Sequence, residues 1–457
     1  MKLPRILLSA GASGSGKTLI TCGLLAAFKR KGLCPAAFKC GPDYIDPMFH
    51  TKILGIRSRN LDTFFADRET VNYLLTKNSR DCDLAVMEGV MGYYDGVGGI
   101  STWAGAYDLA DATQTPAVLL VNSKGMSLSL VAYIKGFLEY KEDSHIQGVI
   151  FNRMSPMLYP RIKELVEKEL GVRCYGYVPE VKDCLLESRH LGLVLPQEVE
   201  DLKGRVERLA EVLENSLDLD GLLELADAAP ELSGTCPQEV RQVLEERSYP
   251  VRVAVARDEA FCFLYEDNLE LLRELGASLV EFSPLHDEKL PEDIQGLLLP
   301  GGYPELYARQ LSENISMCDS IRKALNEGLV CQAECGGFLY LQQSLEDMAG
   351  KEWPMAGVLG GKGYYTGKLS RFGYLTLKDG TAFGNPVGEI SAHEFHYYDT
   401  TDNGSSFRGE KPLSSRGWEC MVSQENLLAG FPHLYFYSNP HLGKAFLKKC
   451  LERKEKG

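Results

Sequence analysis

The sequence predicts two α/β domains, the first of which has a doubly wound parallel sheet. In the first half of the chain, helical stretches separate apolar runs of strand length at residues 36–39, 84–88, 117–121 and 147–151. A fresh strand pattern begins at Val251, after a stretch of proline, glycine, serine and charge that lacks periodicity. A chain of 457 residues is also too long for one ordinary core. We expect a first domain at residues 1–230, a linker at 231–247 and a second domain at 248–457.

The strongest motif lies at residues 11–18, where Gly-Ala-Ser-Gly-Ser-Gly-Lys-Thr fits the phosphate-binding loop pattern Gly-x-x-x-x-Gly-Lys-[Ser/Thr]. An apolar strand pattern precedes it and a helical pattern follows it, as the motif requires. Backbone N–H groups of such a loop surround phosphate oxygens, while Lys17 reaches the outer phosphates and Thr18 offers its hydroxyl to magnesium. The sequence therefore predicts that a nucleoside triphosphate is bound by Gly11, Gly14, Ser15, Gly16, Lys17 and Thr18.

Acidic residues follow the neighbouring strands, at the edge where parallel sheets bind ligands. Mg²⁺ prefers one or two carboxylates together with phosphate oxygens and water, so its predicted ligands are Thr18, Asp43 and Glu88. Asn152 is assigned to the nucleotide, with capping as an equal alternative. A role as a turn or cap residue stays open for three acids that stand beside proline or glycine, Asp43, Asp46 and Asp95.

A second chemical pattern surrounds Cys335, which follows an apolar strand pattern and precedes two glycines and a helical run. This order is typical of a nucleophile elbow, in which a sharp turn exposes the side chain and a helix N-terminus stabilises a thiolate. The backbone N–H groups of three glycines, Gly301, Gly302 and Gly336, are predicted to form an oxyanion hole. Together these features indicate acyl transfer from an amide, although most cysteines are small core residues.

A cysteine nucleophile needs a base, and His433 is the predicted one because it precedes an aromatic, strand-like run. His393 and His396 are the alternatives. For each of these histidines, taken alone, a hydrogen-bonded structural role is also open.

Composition excludes several classes of partner. The formal net charge of −14 supplies no positive field for nucleic acid or an anionic membrane. No apolar run approaches the ~18 residues of a membrane helix, and signal-peptide cleavage would destroy the phosphate-binding loop. Thirteen cysteines without a Cys-x-x-Cys pair predict reduced thiols in the cytoplasm, with no disulfide and no structural metal. Residues 360–367 are rich enough in glycine to predict a mobile loop.

An ordered series of motifs resembles the cobyrinic acid a,c-diamide synthase family over nearly the whole chain. The motifs lie at residues 14–18, 38–47, 58–63, 88–96, 189–193, 283–287, 299–305, 334–337 and 393–397. The resemblance implies a P-loop NTPase-like, dethiobiotin-synthetase-like ATPase domain followed by a glutaminase domain of the triad amidotransferase type.

The resemblance also implies a reaction. Two carboxylates of a cobyrinate-type corrinoid, the a- and c-acetates, would become amides in cobalamin biosynthesis. The reaction would consume ATP and L-glutamine and require Mg²⁺. ATP would convert each carboxylate to an acyl phosphate, which ammonia released at Cys335 and passed from the second domain would attack. His433 would activate the cysteine. The residues assigned to the substrate or acyl-phosphate region are Lys39, Tyr44, Asp46 and Asp95.

The chain departs from the family pattern at two places. Tyr435 stands where many such glutaminases carry a glutamate two residues after the histidine, so the third member of the triad is unassigned. Residues 122–124, Asn-Ser-Lys, replace an aspartate that often follows the fourth sheet strand.

Several alternatives remain at this stage. Hydrogenobyrinic acid and nickel sirohydrochlorin are alternative substrates, and the oligomeric state is open, with a homodimer as one candidate. A partitioning-type switch ATPase is a distant alternative, because Ala12 stands where such proteins carry a second lysine.

Overall fold

The structure is a computed structural model that describes residues 1–181, 188–189, 192–193, 201–246 and 248–456. Two residues of the family motif at 189–193, His190 and Leu191, lie outside the described residues. The chain divides into two compact units, Met1–Pro237 and Gln238–Gly457. In the described part of the chain, every helix is too short or too polar to cross a membrane.

The first unit alternates strands and helices. Its elements are β1 (Arg5–Ala10), α1 (Lys17–Arg30), β2 (Pro35–Cys40), α2 (Ile45–Leu54), β3 (Ser58–Leu61), α3 (Arg68–Asn78), β4 (Leu84–Glu88), α4 (Ala106–Thr113), β5 (Ala117–Asn122), α5 (Ser129–Glu139), β6 (Ile146–Asn152), α6 (Tyr159–Leu170), β7 (Arg173–Val178), β8 (Ser188–Arg189), β9 (Gly192–Leu193), α7 (Leu202–Ser216) and α8 (Leu219–Asp227).

Seven of these strands form one parallel sheet in the order β3-β2-β4-β1-β5-β6-β7. Strands β1, β2 and β4 are buried along their whole length, as expected for a sheet covered by helices on both faces. The predicted fold class of this unit is confirmed. Register brings the carboxyl ends together, since Lys39 pairs with Glu88 across β2 and β4.

The second unit mixes helices with shorter strands. Its elements are α9 (Gln238–Glu246), β10 (Arg252–Ala256), β11 (Phe261–Phe263), α10 (Glu266–Glu274), β12 (Ser278–Phe282), β13 (Gly296–Leu299), β14 (Gly301–Gly302), α11 (Ala308–Glu313), α12 (Ile315–Asn326), β15 (Val330–Glu334), α13 (Gly336–Leu341), β16 (Ser344–Glu346), β17 (Glu352–Pro354), β18 (Lys362–Lys378), β19 (Thr381–Ala382), β20 (Asn385–Pro386), β21 (Ile390–Thr400), β22 (Phe407–Glu410), β23 (Gly417–Cys420), β24 (Val422–Ser423), β25 (Leu427–Gly430), β26 (His433–Leu434) and α14 (Pro440–Lys456).

Two larger sheets organise this unit. The first has the order β12-β10-β13-β15-β25-β24 and is parallel except at β24. The second contains β17-β16-β18-β21-β26, with β22 and β23 extending from β18. The chain leaves the first sheet at Gly430 and enters the second at His433, which pairs with His393. His433 is thereby held at the junction of the two sheets.

Two predicted segments differ from the structure. The linker predicted at residues 231–247 includes α9, whose Val240 and Val243 are buried. Only three apolar residues, Val240, Val243 and Leu244, mark this short helix, and the proline, glycine and serine before it obscured their helical spacing. The mobile loop predicted at residues 360–367 is wrong from Lys362 onward, because β18 starts there. Gly363 serves close packing, since a Cβ there would lie 2.8 Å from Leu339 Cδ2.

Candidate functional site

The phosphate-binding loop connects β1 to α1 and has the backbone conformation that its glycines permit. Gly14 and Gly16 have φ values of 72° and 89°, in the left-handed region that side chains disfavour. Lys17 begins α1, and its buried Nζ donates to the carbonyl oxygens of Ala12 at 3.1 Å and Met91 at 2.5 Å. The lysine thus lies across the loop, with its ammonium group in reach of any phosphate bound there.

Asn152, predicted to bind the nucleotide, ends β6 and contacts the loop itself. Its Nδ2 donates to the carbonyl oxygen of Ser15 at 2.8 Å, and a Cβ added at Gly16 would lie 2.7 Å from the same nitrogen. The structure therefore places Asn152 as a brace for the loop backbone.

Thr18 meets two carboxylates at the carboxyl edge of the sheet. Its Oγ1 lies 2.8 Å from Glu88 Oε1 and 3.1 Å from Asp46 Oδ2. Lys39 Nζ donates to the same two carboxylate oxygens, at 2.8 Å and 2.5 Å. We call these four buried or partly buried residues, Thr18, Lys39, Asp46 and Glu88, the carboxylate cluster.

Asp43 has a different position from the one predicted for a metal ligand. Its Oδ1 accepts the N–H groups of Ile45 and Asp46 at 2.9 and 3.1 Å, which caps the start of α2. The alternative role left open by the sequence is therefore the one that the structure gives to Asp43. Asp46, three residues further on and the second residue of α2, is the acid that reaches Thr18.

The other residues predicted for the substrate region lie around this cluster. Tyr44 immediately precedes α2 and is buried. Asp95 Oδ2 accepts the N–H of Gly92 at 3.0 Å, in the loop that also supplies the Met91 carbonyl to Lys17.

Electrostatics in the cluster are governed by burial and by opposite charge. Burial alone would lower the pKa of Lys39 and raise that of Glu88. For Lys39 this effect is reversed by the charges of Asp46 and then Glu88, and for Glu88 it is reversed first by the charge of Lys39. The pKa of Lys39 is raised well above its ordinary value, and the pKa of Glu88 is lowered. Burial, with Asp43 and Glu88 nearby, raises the pKa of Asp46 well above its ordinary value. Burial, and then the Lys39 charge, lower the pKa of Lys17 to about 8.

The donor set of the cluster fits Mg²⁺. Two carboxylate oxygens and the Thr18 hydroxyl lie together, and the Lys39 ammonium, which donates to both oxygens, would have to turn away for Mg²⁺ to reach them. A magnesium ion takes one or two protein carboxylates and fills the rest of its octahedral shell with phosphate oxygens and water. This observation supports Asp46 and Glu88, with Thr18, as the residues that would hold it.

The second unit contains the predicted nucleophile elbow. Cys335 lies between β15 and α13 with φ 46° and ψ −101°, a conformation that a non-glycine residue rarely adopts. Its N–H donates to the carbonyl oxygen of Gly430 at 2.7 Å, which fixes the turn against β25. Gly337 must be glycine, because a Cβ there would lie 2.1 Å from Leu299 O. Burial, together with Glu305 and Glu394, raises the pKa of the Cys335 thiol, so a base must take its proton.

The predicted oxyanion glycines pack against this elbow and against His433. A Cβ added at Gly301 would lie 2.4 Å from His433 Cε1 and 3.4 Å from Cys335 Cβ. A Cβ added at Gly336 would lie 3.1 Å from the Gly302 nitrogen. The structure thus brings the nucleophile, the predicted base and the three glycines to one place.

His433 is buried at the end of the β15 and β25 strands. Burial, with a contribution from His396, lowers its pKa to about 3, so the ring is neutral near pH 7 and needs a nearby negative charge before it can accept a proton readily. His396, one of the two alternatives, has Nδ1 2.5 Å from Tyr398 O and stacks on Phe431 with ring centroids 3.9 Å apart. Burial lowers the pKa of His393, the other alternative, well below its ordinary value.

Two acids near Cys335 had no role in the sequence analysis. Glu334 Oε2 lies 3.8 Å from His433 Nδ1. Glu394 is fully buried, and neither of its carboxylate oxygens has a hydrogen-bond partner among the described residues. A signal for Glu334 was present, because Gln332 and Glu334 alternate with apolar residues and so share one face of a buried strand.

Comparisons with known proteins agree with this geometry. Residues 6–194 match the family described as the CobQ/CobB/MinD/ParA nucleotide binding domain, and residues 252–441 match the CobB/CobQ-like glutamine amidotransferase domain. The chain is 38% identical over 455 residues to the cobyrinate a,c-diamide synthase of Caldanaerobacter subterraneus subsp. tengcongensis. The aligned region covers 98% of each chain.

Other relatives carry the same name. The enzyme of Listeria innocua is 38% identical over 95% of this chain and 97% of its own. That of Thermoplasma volcanium is 37% identical over 100% of this chain and 99% of its own. On this evidence the chain belongs to the cobyrinate a,c-diamide synthase family.

Proposed function

We propose that this protein is a ligase that amidates the a- and c-acetate carboxylates of cobyrinate, with ATP and L-glutamine as co-substrates, in cobalamin biosynthesis. The observation that carries the proposal is the presence in one chain of a phosphate-binding loop beside paired carboxylates and of a cysteine elbow beside a buried histidine. The names of relatives that span nearly the whole chain supply the substrate.

The first unit activates the carboxylate. A carboxylate is a poor acyl donor, and transfer of the γ-phosphoryl group of ATP converts it to an acyl phosphate. Lys17 binds the outer phosphates. Thr18, Asp46 and Glu88 would hold Mg²⁺, which would neutralise charge on the phosphoryl group. Asp43 caps α2 and so positions Asp46. Lys39, Tyr44 and Asp95 are assigned to the substrate or acyl phosphate.

The second unit releases ammonia from glutamine. His433 takes the Cys335 proton as the sulfur bonds to the side-chain amide carbon, and the N–H groups of the predicted oxyanion glycines stabilise the negative oxygen. The proton passes to the leaving nitrogen, the C–N bond breaks, and ammonia departs from a glutamyl thioester. Water then hydrolyses the thioester to glutamate and restores the thiol. The ammonia displaces phosphate from the acyl phosphate and forms the amide.

The setting proposed for this reaction is the cytoplasm, without a nucleic-acid or membrane partner. The net charge of −14 supports it, because such a surface repels polyanions.

Purified protein with ATP, Mg²⁺ and glutamine tests the substrate when it is offered cobyrinate, hydrogenobyrinate and nickel sirohydrochlorin in separate reactions. Mass spectrometry should show two amide groups gained on cobyrinate. Amidation of one of the other two macrocycles instead would assign that macrocycle as the substrate. Amidation of none would overturn the proposal.

Replacement of Cys335 tests the division of labour between the units. Cys335→Ala should abolish amidation driven by glutamine and retain amidation driven by added ammonia. Cys331→Ala is the matched control, since Cys331 is also buried, in the strand that leads to Cys335, and its replacement should change neither activity. Equal loss on both nitrogen sources in Cys335→Ala would refute the assignment.

A further inference from the structure

We propose that Glu334, the residue immediately before the nucleophile, is the acid of the triad and orients His433 through its Nδ1. This inference rests on the proposed glutaminase role of Cys335 and His433. It assigns the third member of the triad, for which the family position two residues after the histidine offers only Tyr435.

The geometry around His433 assigns a direction to each part of the ring. Nδ1 lies 3.8 Å from Glu334 Oε2. A Cβ added at Gly301, which also borders Cys335, would lie 2.4 Å from Cε1 and 3.3 Å from Nδ1. Cε1 lies between the two ring nitrogens, so Nε2 is on the side of the ring away from Glu334. A base needs this arrangement, with one nitrogen toward the acid and the other available to the thiol.

The Glu334 carboxylate is itself held in place. Gln332 Nε2 donates to its Oε1 at 2.7 Å, and the backbone N–H of Leu434 also interacts with the carboxylate. The Gln332 bond uses Oε1, and Oε2 lies toward His433. A shift of less than about 1 Å brings Oε2 into hydrogen-bond range of Nδ1, and catalytic hydrogen bonds commonly shorten to this extent when substrate binds.

Tyr435 does not offer the same function. Its hydroxyl lies 3.1 Å from Asp267 Oδ2, so the side chain at the family position of the glutamate is engaged with α10. A phenol that is directed at a carboxylate is a poor acceptor for the Nδ1 proton. Glu334 is the acid that the structure places next to that nitrogen.

The proposed role follows from proton balance. Burial raises the pKa of Glu334 to about 8, so the carboxyl is only partly ionised near pH 7. In its ionised form it can accept the Nδ1–H of His433, which leaves the lone pair of Nε2 free to take the Cys335 proton. The imidazolium that forms carries a positive charge in a buried site, and the adjacent carboxylate stabilises it. When Nε2 passes the proton to the leaving ammonia, the original tautomer returns. Glu334 is therefore a positioning residue, because it acts through His433.

Glu334→Gln tests the proposal in the full-length protein, because glutamine keeps the shape of the side chain and removes its charge. We expect the kcat of glutamine hydrolysis to fall about 100-fold or more, with the KM for glutamine unchanged. Amidation driven by ammonia should stay at the wild-type rate. The matched control is Asp267→Asn, which removes another buried carboxylate of the same unit and should leave kcat unchanged.

Wild-type kcat in Glu334→Gln, or an equal loss in Asp267→Asn, would overturn the inference. If thermal melting shows that Glu334→Gln is unfolded, Glu334→Asp is the second variant, since it keeps the charge and withdraws it from His433. A wild-type kcat there would also overturn the inference. If the wild-type protein has no glutaminase activity that depends on Cys335, the proposed function fails, which is a distinct result.

Discussion

Two aspartates at the start of α2, Asp43 and Asp46, have different structural roles. Asp43 caps α2 through backbone N–H groups, whereas Asp46 reaches the hydroxyl of Thr18. The loop sequence contains both acids beside proline, and only the start of α2 decides which one turns toward the sheet edge. Sequence reasoning could identify the cluster of acids but could not choose between them.

The two aspartates allow a matched pair of substitutions. Asp46→Asn should lower amidation about 10- to 100-fold with either nitrogen source and raise the Mg²⁺ concentration needed for half-maximal rate. Asp43→Asn should stay close to the wild-type rate, because asparagine caps a helix as well as aspartate does. Steady-state rates at varied Mg²⁺ measure both variants. The reverse ranking would return Asp43 to the metal site.

Lys17 yields a prediction on pH dependence. Burial and the Lys39 charge lower the pKa of Lys17 to about 8, so its ammonium is present below that pH and is lost as the pH rises through it. The affinity of the protein for ATP should therefore fall between roughly pH 7 and pH 9, as measured by titration calorimetry. Lys17→Arg should remove this dependence, because a guanidinium stays charged throughout that range. The same fall in the variant would contradict the explanation.

At the level of elements, the close packing of strand β14 against His433 can be tested. A Cβ at Gly301 would lie 2.4 Å from His433 Cε1, closer than any real contact, so Gly301→Ala must displace the histidine. Glutaminase kcat should fall at least about 10-fold, while ammonia-driven amidation is retained. Gly328→Ala is a control in the same unit, because a Cβ there meets nothing within 4 Å, although its φ of 86° carries a conformational cost. Wild-type glutaminase activity in Gly301→Ala would show that the position of His433 does not matter for glutamine hydrolysis.

The sequence predicted elements best where one contiguous pattern defines them. The phosphate-binding loop is such a case, since strand, loop and helix follow each other within residues 5–30. Strand β18 is the opposite case. Its glycines predict a loop from sequence alone, and only the structure shows that Leu339 and Leu345 pack against Gly363. The approach of Glu334 to His433 was equally inaccessible, since it depends on the pairing of β15 with β25 and of β21 with β26.

At the scale of the whole molecule, the proposed chemistry fixes a stoichiometry. Each amide requires one acyl phosphate and one ammonia, so the diamide should form with two ATP and two glutamine consumed per macrocycle. Phosphate, glutamate and product measured in the same reaction should give ratios of about two, two and one. Glutamate in large excess over amide would show that ammonia made at Cys335 does not serve the first unit.

Lys39 has a consequence for how the protein comes to be folded. Two buried carboxylates without a counterion would oppose folding, and the chain supplies that counterion itself through Lys39. The first unit should then reach its native state in a medium stripped of divalent ions, as circular dichroism would show. Lys39→Met should lower the free energy of unfolding by about 3 to 5 kcal/mol. We therefore expect folding of this unit to be independent of the Mg²⁺ that the proposed reaction requires.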